Sequence, residues 1–478
     1  MARKTPHGLQ KPPASSKCVA MAAKARTRPM PESMLGRMFA NTVWLLGGKG
    51  FGAVCSLVYL AIVTRSLGLK DFGHFSLIFG TAQALIAIAG FQTWRVVVRY
   101  GAEHVHQGNW NAFGRLGMLA GALDAIGAVI GCLIAYVVFF HFADTLDLNP
   151  ELIDIAFWFN CAMLWALVSA PTGVVRALDR FDIAVYVEAW VPLGRLLSAV
   201  AIWLTGPSLL KFLIAWAIID IFEAVMYWVA ARYLCPQAVR LRHLKEIGHA
   251  LRDNPGIIRF FLITYATATV EAVKRYGPLL AVGYFAGTRA AGLYRLAQQL
   301  SQGLSKLSTL LTRSVYAEMS RARVAAAADE FRKLAVQTSL IAGGGGALVV
   351  VLAVACGAQL MSFIGGDAFR AGYIVMIPLT IEASFELASV AFEPVLHATG
   401  RARLALIARL TALGALGIAM LALVQEDDAI GIAWAVAIGG AVYYAIMGLM
   451  AWRTLNGLER EQAEAAAREG PGQGPGPA

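Results

Sequence analysis

The sequence predicts an all-α polytopic membrane protein with about 12 transmembrane helices in two six-helix bundles related by an internal repeat. Three observations predict this class. The chain has 478 residues, is 58% hydrophobic and only 15% charged, and has a mean hydropathy of +0.61, whereas about a quarter of the residues of a soluble domain are charged. Apolar runs of about 20 residues, each long enough to cross a bilayer, recur along the chain. Similar segments also return at a constant spacing.

Hydropathy divides the chain into two groups of six spans between two polar tails. We expect a basic disordered tail at 1–36, a first bundle at 37–231, a cytoplasmic linker at 232–257, a second bundle at 258–455 and a disordered Gly/Pro-rich tail at 456–478. The predicted spans are 40–63, 74–98, 115–140, 152–173, 184–204, 209–231, 258–285, 290–312, 334–356, 373–396, 403–424 and 430–452.

The orientation follows from the loop charges. Loops on one side are rich in Lys and Arg, above all the segment 232–257, and the N-terminal tail, which lies on that side, is also basic. The opposite loops are short, and two of them, ADTLDLNPE and QEDD, are acidic. Basic loops stay in the cytoplasm, so both termini should be cytoplasmic. The net charge of +11 is mostly this orientation signal, and we expect no nucleic-acid partner.

The internal repeat is clearest between LGLKDFGHFSLIFGTAQAL (67–85) and AGTRAAGLYRLAQQLSQGL (286–304). Both segments lead from an outer loop into an even-numbered span. Two halves that both start inside the cell predict a parallel repeat about an axis along the membrane normal. At an offset of 219 the matched pairs are Gly68 with Gly287, Gly73 with Gly292, Phe75 with Tyr294, Leu77 with Leu296 and Gln83 with Gln302.

Charged residues remain inside the predicted spans. One charge at the bilayer centre costs about 2.5–3.5 kcal/mol on insertion scales, so these side chains should pair or line water. The bases are Lys49, Arg95, Arg195, Lys274, Arg275, Arg295, Lys306 and Arg409. The acids are Asp124, Glu188, Asp220, Glu223, Glu271, Glu382, Glu386 and Glu393.

The eighth span has one polar face, formed by Arg295, Gln299, Gln302 and Lys306 at positions i, i+4, i+7 and i+11. The two bases could instead extend to the membrane surfaces. That alternative does not explain the glutamines between them. The pattern therefore favours a wet, cationic wall.

Three other spans carry candidate cations. In the seventh, Glu271 can neutralise only one of Lys274 and Arg275, which leaves either a spare charge or a structural pair with another helix. In the first, Lys49 lies among four glycines and too deep to reach the surface easily. In the second, Arg95 lies near the inner surface, where anchoring is the main alternative to substrate binding.

The tenth span carries a stripe of Glu382, Glu386 and Glu393 at i, i+4 and i+11. These acids could carry protons, or they could balance bases on another helix, and the sequence leaves both roles open. Asp124 is a lone acid in the third span and a second proton or cation candidate. Asp220 and Glu223 are a third.

Enzyme and metal chemistry find no support in the sequence. It contains no HExxH, GxSxG or P-loop pattern. The six cysteines show no metal-binding spacing and are expected to be small core residues. We expect no catalytic residue, metal or cofactor.

Several segments resemble a known family. NTVWLLGGKGFGAVCSLVYLAIVTRSLGLKDFGHFSLIFG (41–80) is similar to the opening of polysaccharide-biosynthesis and O-antigen flippases, the Wzx-like members of the MOP superfamily, which are related to MATE transporters. GTRAAGLYRLAQQLSQGLSKLSTLLTRSVYAEMSR (287–321) resembles the start of their second half, and GGDAFRAGY and EPVLHATGRARLAL resemble later segments. The resemblance covers roughly 36–455.

The resemblance implies two bundles that face each other across a V-shaped cavity lined by spans 1, 2, 7 and 8. The family moves undecaprenyl-pyrophosphate-linked sugars from the inner to the outer leaflet. The substrate-binding residues would then be Lys49, Gln83, Arg95, Lys274, Arg275, Arg295, Gln299, Gln302 and Lys306. The stripe of glutamates matches no motif of the family.

The sequence therefore predicts a lipid-linked oligosaccharide flippase of the bacterial inner membrane, serving polysaccharide or lipopolysaccharide synthesis by alternating access with a cationic central cavity. A proton or sodium gradient would drive it. Its partners would be the substrate, membrane lipids and polymerase or assembly proteins. The ion-coupling candidates are Asp124, Glu271, Glu382 and Glu386.

Three alternatives remain. A MATE-like ion-coupled exporter of small molecules would favour an acidic, aromatic cavity, against which the spare bases argue. A membrane-bound glycan polymerase or ligase should need a sizeable outer loop, and the outer loops here are short. A scaffold of an assembly complex would not need intramembrane charge.

Overall fold

The computed structural model describes residues 34–142, 145, 147–325, 328–399 and 401–469. Within these ranges it describes all side chains except those of 34–49, 304–331, 398, 402, 425–428 and 458–469. Every regular element in the described ranges is a helix. The all-α fold class predicted from the sequence is therefore confirmed.

Thirteen α-helices follow one another in the described residues, with short 3-10 turns between some of them. In chain order they are α1 (Met34–Ala89), α2 (Thr93–His106), α3 (Trp110–His141), α4 (Ile153–Trp165), α5 (Ser169–Ala177), α6 (Phe181–Leu204), α7 (Leu209–Leu234), α8 (Ile247–Asp253), α9 (Ile257–Ala325), α10 (Ala328–Gly365), α11 (Tyr373–Ala388), α12 (Phe392–Ala398) and α13 (Ala402–Glu469).

The described helices include enough long apolar segments for a multi-pass membrane protein. By length and hydropathy, 8 of them could cross a bilayer, or up to 9 if one bent pair counts as a single span. One segment, Gly50–His106, has 57 residues, or about 85 Å at 1.5 Å per residue, against a hydrocarbon core of about 30 Å. The count of 12 spans stays a prediction.

Two helices are bent at glycines that the sequence repeat pairs with each other. Gly68 in α1 has φ 71° and ψ −179°, and Gly287 in α9 has φ 78° and ψ −176°. A positive φ of this kind is accessible to glycine because it has no Cβ. These bends separate the predicted spans 40–63 from 74–98 and 258–285 from 290–312.

Three predicted spans that read as continuous are interrupted. The span 74–98 breaks between α1 and α2, where Phe91 and Gln92 have positive φ angles of 48° and 50°. The span 152–173 breaks between α4 and α5, and the span 373–396 breaks between α11 and α12. The last helix also continues to Glu469, into the segment predicted as a disordered tail, because residues 456–469 are rich in strong helix formers such as Ala, Glu and Arg.

The described chain divides into two compact units. Unit 1 contains the described residues up to Ile62, together with Leu85–Phe139 and Asp154–Ala268. Unit 2 contains Val63–Ala84, Phe140–Ile153 and the described residues from Thr269 onward. The predicted bundle boundaries at 37–231, 232–257 and 258–455 stay a prediction.

Inside unit 2, α1 and α9 cross at a close approach between backbones. A Cβ on Gly73 would overlap the main-chain carbonyl of Thr288, and a Cβ on Gly292 would lie 2.9 Å from the carbonyl oxygen of Leu69. Residues 69 and 288, like 73 and 292, are related by the offset of 219. Each copy of the repeated segment therefore contacts the other reciprocally.

A loop carboxylate is bound at the same place. Asp147 Oδ2 accepts hydrogen bonds from the backbone N–H of Thr288 (3.2 Å) and from its hydroxyl (3.0 Å). These bonds favour the charged form, so they hold the pKa of Asp147 below its usual value. The carboxylate thus caps the part of α9 that follows the Gly287 bend.

The lowered pKa of Asp147 predicts a pH dependence of stability. A carboxyl with a depressed folded pKa stabilises the fold above its unfolded pKa of about 3.9, and this contribution is lost as the pH falls through the folded pKa. We expect Asp147→Asn to melt at a lower temperature than the wild type near neutral pH. The difference should shrink between about pH 5 and pH 3. A constant difference over that range in detergent-solubilised protein would contradict the contact.

Candidate functional site

Unit 2 contains an open pocket of about 210 Å³ between α9, α11 and α13. This volume is smaller than that of most ligand sites, about 300–1,000 Å³, so the pocket can hold part of a ligand such as a headgroup. The pocket brings together six residues singled out from the sequence. Three are from the predicted substrate-binding set (Lys274, Arg275 and Gln302) and three from the predicted ion-coupling set (Glu271, Glu382 and Glu386).

The centre of the pocket is an ion pair between helices. Lys274 Nζ lies 2.8 Å from Glu382 Oε1, and the Lys274 and Glu382 side chains are 41% and 13% exposed. The ammonium also lies 5.8 Å from the centroid of the Tyr443 ring. The sequence left two roles open for Lys274, a spare positive charge or an ion pair with another helix. The structure shows the ion pair, with Glu382 on α11.

Arg275 is exposed and forms no ion pair in the described part of the chain. Its guanidinium lies 5.6 Å from the ring of Tyr276, and its backbone carbonyl accepts a hydrogen bond from Gln298 Nε2 at 3.1 Å. Gln298 Oε1 in turn accepts one from Arg295 at 3.1 Å. These bonds connect the two parts of α9 on either side of Gly287.

The lining of this pocket has mixed charge. Glu271, Glu382 and Glu386 face Lys274 and Arg275, so the described wall holds three carboxylates for two bases. This wall is not cationic, because the glutamate stripe contributes two of the carboxylates. The expectation of a cationic cavity between the two bundles stays a prediction. The side chains of Lys49 and Lys306 lie outside the described residues.

The remaining substrate candidates are not brought together in this pocket lining. Arg295 is partly buried, with its guanidinium 5.9 Å from the Phe79 ring. Gln83 and Gln299 are half-buried. Arg95 belongs to unit 1. Their roles stay predictions.

The glutamate stripe balances bases at both of its ends. Besides the Glu382–Lys274 pair, Glu393 accepts two hydrogen bonds from Arg409 Nη2, at 2.9 Å and 3.0 Å. His397 Nε2 lies 3.5 Å from the same carboxylate. Glu386 lies between these pairs in sequence and lines the pocket.

In unit 1, Asp124 caps α5 and binds the first side chain of α2. Its Oδ1 accepts a hydrogen bond from the Thr93 hydroxyl, and its Oδ2 accepts one from the backbone N–H of Ala170, both at 2.7 Å. The Thr93 and Ser169 hydroxyls are 2.9 Å apart. These residues open α2 and α5, and helix N-termini stabilise a negative charge. The sequence missed Thr93 and Ser169 because both lie within apolar runs that predicted unbroken spans.

This capping predicts a stability loss for Asp124→Ala. The substitution leaves the Ala170 N–H buried without its acceptor, at a cost of about 1–3 kcal/mol, whereas the Thr93 hydroxyl can still donate to Ser169. The melting temperature of the solubilised protein should fall clearly. Asp154→Ala, which removes an exposed acid from the first turn of α4, is the control and should leave it unchanged. Equal melting of the two variants would contradict the capping role.

Another intramembrane pair lies in unit 1. Arg195 Nη2 is 2.7 Å and 3.0 Å from the two oxygens of Asp220, and its guanidinium is 5.6 Å from the Trp216 ring. Asp220, predicted as a weaker proton candidate, is thus part of a buried salt bridge.

The described helices define a multi-pass membrane protein whose fold is similar to that of solved transporter structures. An inward-facing MATE multidrug resistance transporter of the MOP superfamily superimposes with a TM-score of 0.64 at 14% identity, over 85% of this chain and 96% of that one. The lipid II flippase MurJ in an inward closed conformation gives 0.66 at 11% identity, over 87% and 90%. At these identities the likeness shows the fold.

The chain belongs to the polysaccharide biosynthesis protein family, which matches residues 38–322. A relative is the inner membrane protein YghQ of Escherichia coli (strain K12), 25% identical over 338 residues, which are 70% of this chain and 94% of that protein. The family resemblance inferred from the sequence is confirmed.

Proposed function

We propose that this protein flips an undecaprenyl-pyrophosphate-linked oligosaccharide from the inner to the outer leaflet of the bacterial cytoplasmic membrane, for polysaccharide or lipopolysaccharide (O-antigen) synthesis. Family membership and the fold shared with a lipid flippase support this proposal. The observation that carries it is the polar pocket of unit 2, where charged and amide side chains meet among membrane-spanning helices. Both termini would be cytoplasmic.

In this mechanism the pocket binds the headgroup while the isoprenoid chain stays in lipid. Arg275 would contact the pyrophosphate directly, because a guanidinium matches phosphate oxygens in a bidentate geometry. The pyrophosphate would compete with Glu382 for Lys274. Gln298 and Gln302 would donate hydrogen bonds to sugar hydroxyls. The other predicted substrate residues, Lys49, Gln83, Arg95, Arg295, Gln299 and Lys306, would contact the substrate at other stages.

Ion coupling would act through the carboxylates of the pocket. Substrate that displaces Glu382 from Lys274 leaves a carboxylate in need of a proton or a sodium ion, and Glu271 and Glu386 lie in the same wall. Asp124 is the weakest candidate, because both of its oxygens are engaged by helix starts.

Reconstituted vesicles test the proposed function. Purified protein in liposomes with a fluorescent undecaprenyl-pyrophosphate oligosaccharide should expose the sugar to an external glycosidase or quencher faster than empty liposomes do. Arg275→Gln should reduce the transport rate about tenfold. Arg275 lines the pocket and forms no ion pair in the described part of the chain, so it is the base that is available to the pyrophosphate. The control is Arg115→Gln, which should leave the transport rate unchanged. Arg115 lies in unit 1 and forms an ion pair with Asp253 there. A rate equal to that of empty liposomes would refute the proposal.

The mixed charge of the pocket favours one alternative, an ion-coupled exporter of small cationic molecules. Three carboxylates on one wall could hold a cation. This function predicts uptake of a fluorescent organic cation into inverted vesicles, abolished by Glu386→Gln. Transport of the lipid-linked sugar without transport of cations would exclude it.

A further inference from the structure

Two arginines on α2 differ from the other arginines of unit 1 in the partners that the described side chains give them. Arg95 and Arg99 lie one helical turn apart, and neither forms an ion pair in the described part of the chain. Other arginines of unit 1 do. Arg115 lies 2.6 Å from Asp253, and Arg176 lies 2.8 Å from Glu188.

Aromatic rings hold both guanidinium groups. Arg99 lies 4.4 Å from the Phe260 ring centroid and 5.7 Å from that of Tyr100, and these rings pack edge to face at 6.0 Å. Arg95 lies 5.4 Å from the Trp94 ring. A ring face attracts a guanidinium without using its N–H donors. Both groups therefore keep their charge and hydrogen-bonding capacity.

Two acids of unit 1 have other partners. Glu103, one turn beyond Arg99, accepts a hydrogen bond from Gln107 at 3.1 Å. Asp253 is held by Arg115. The Nε atom of Arg95 is buried and has no hydrogen-bond partner among the described residues. A buried donor that lacks an acceptor is costly, and no protein group in the described part of the chain satisfies this nitrogen.

We infer that Arg95 and Arg99 form a binding site in unit 1 for the diphosphate headgroup of a lipid. Residues at i and i+4 present their side chains about 5–6 Å apart on one helix face, so each guanidinium can bind one of two linked phosphoryl groups in a bidentate geometry. An ordinary phospholipid has a single phosphodiester and would match only one of the two charges. Charge complementarity therefore favours a diphosphate.

This site is additional to the unit 2 pocket, and it includes Arg99, which lies outside the predicted substrate set. It rests on the proposed function for the presence of a lipid diphosphate, but not on transport through the pocket. From the loop charges, α2 ends on the cytoplasmic side. The site would therefore collect the headgroup from the inner leaflet before translocation.

Binding of farnesyl diphosphate, a short-chain isoprenoid diphosphate, to the full-length protein in detergent tests the inference. The measurement starts from Lys274→Gln/Arg275→Gln, so that the pocket does not contribute. This parent should bind farnesyl diphosphate, and inorganic diphosphate should compete, whereas farnesol should not bind. Adding Arg95→Gln and Arg99→Gln should weaken binding about tenfold or more. Adding Arg115→Gln instead should leave it within about twofold.

Two further measurements separate loss of the binding site from loss of the fold, and a diphosphate site from a general phospholipid site. Arg95→Lys/Arg99→Lys preserves the charge but not the forked donors, so an intermediate affinity is expected even if the glutamine variant is unstable. Phosphatidylglycerol in the micelles should compete only in large excess. Equal competition by phosphatidylglycerol, or unchanged affinity in the glutamine and lysine variants, would overturn the inference. Vesicles that fail to transport while this binding persists would refute the proposed function and leave the site standing.

Discussion

Replacing Gly73 by leucine is expected to remove most of the folded protein from the membrane. The new side chain would enter space held by the main-chain carbonyl of Thr288. A clash with backbone at a helix crossing cannot be relieved by a change of rotamer, so α1 and α9 would have to separate. Overpacking a tight contact costs about 1–3 kcal/mol, and occasionally more. The abundance of the protein in the membrane fraction and its melting temperature after solubilisation would measure the effect.

A second glycine provides the control. Gly344 in α10 is exposed and has no atom within 4 Å of the position of an added Cβ. Gly344→Leu should therefore be as abundant and as stable as the wild type. If Gly73→Leu matched Gly344→Leu in both measurements, the close crossing of α1 and α9 would be refuted.

Exchanging the two charges of the pocket ion pair is expected to separate folding from transport. Lys274→Gln or Glu382→Gln removes one partner of a partly exposed ion pair and should lower the abundance moderately, because water and the other charges of the pocket stabilise the remaining group. The double variant Lys274→Glu/Glu382→Lys restores an ion pair and should recover the abundance lost in the single variants. Transport should stay about tenfold or more below the wild type, because the base is no longer beside Arg275 on α9.

The pair of Arg409 and Glu393 is the matched control for this exchange. It is also an ion pair between helices of unit 2, but neither residue lines the pocket. Arg409→Glu/Glu393→Arg should recover both abundance and transport. Normal transport by the Lys274/Glu382 exchange would assign that pair a purely structural role and would remove Lys274 from the substrate site.

Much of the helical architecture could be predicted from hydropathy and spacing. Runs of apolar residues mark spans whatever their neighbours are, and the offset between Gly68 and Gly287 identified two positions with the same unusual backbone angles. The spacing of Glu382 and Glu386 likewise predicted that both face the same side of α11, and both line the pocket, whereas Glu393 lies on α12 beyond a break in the helix. Hydropathy and helical spacing depend only on residues close together in the chain, and a repeat can be read from the sequence itself.

The partners of those acids could not be predicted, because they depend on which helices are neighbours. Glu382 bonds to Lys274, more than a hundred residues earlier, and the sequence does not say that α9 and α11 meet there. The helix starts at Thr93 and Ser169 were missed for a related reason. Asp124, from a third helix, stabilises both of them, whereas the local sequence at each break is as apolar as a continuous span.

The reciprocal crossing at Gly73 and Gly292 has the logic of an isologous dimer interface, in which one surface patch binds a second copy of itself. Two separate six-helix chains carrying this segment could associate through it. Any mutation in the segment would then appear on both sides of the interface. In the fused chain each glycine mutates alone. The two positions can therefore diverge during evolution. One can remain glycine, which preserves the close contact on its side of the crossing, while the other is replaced by a bulkier residue with a new role.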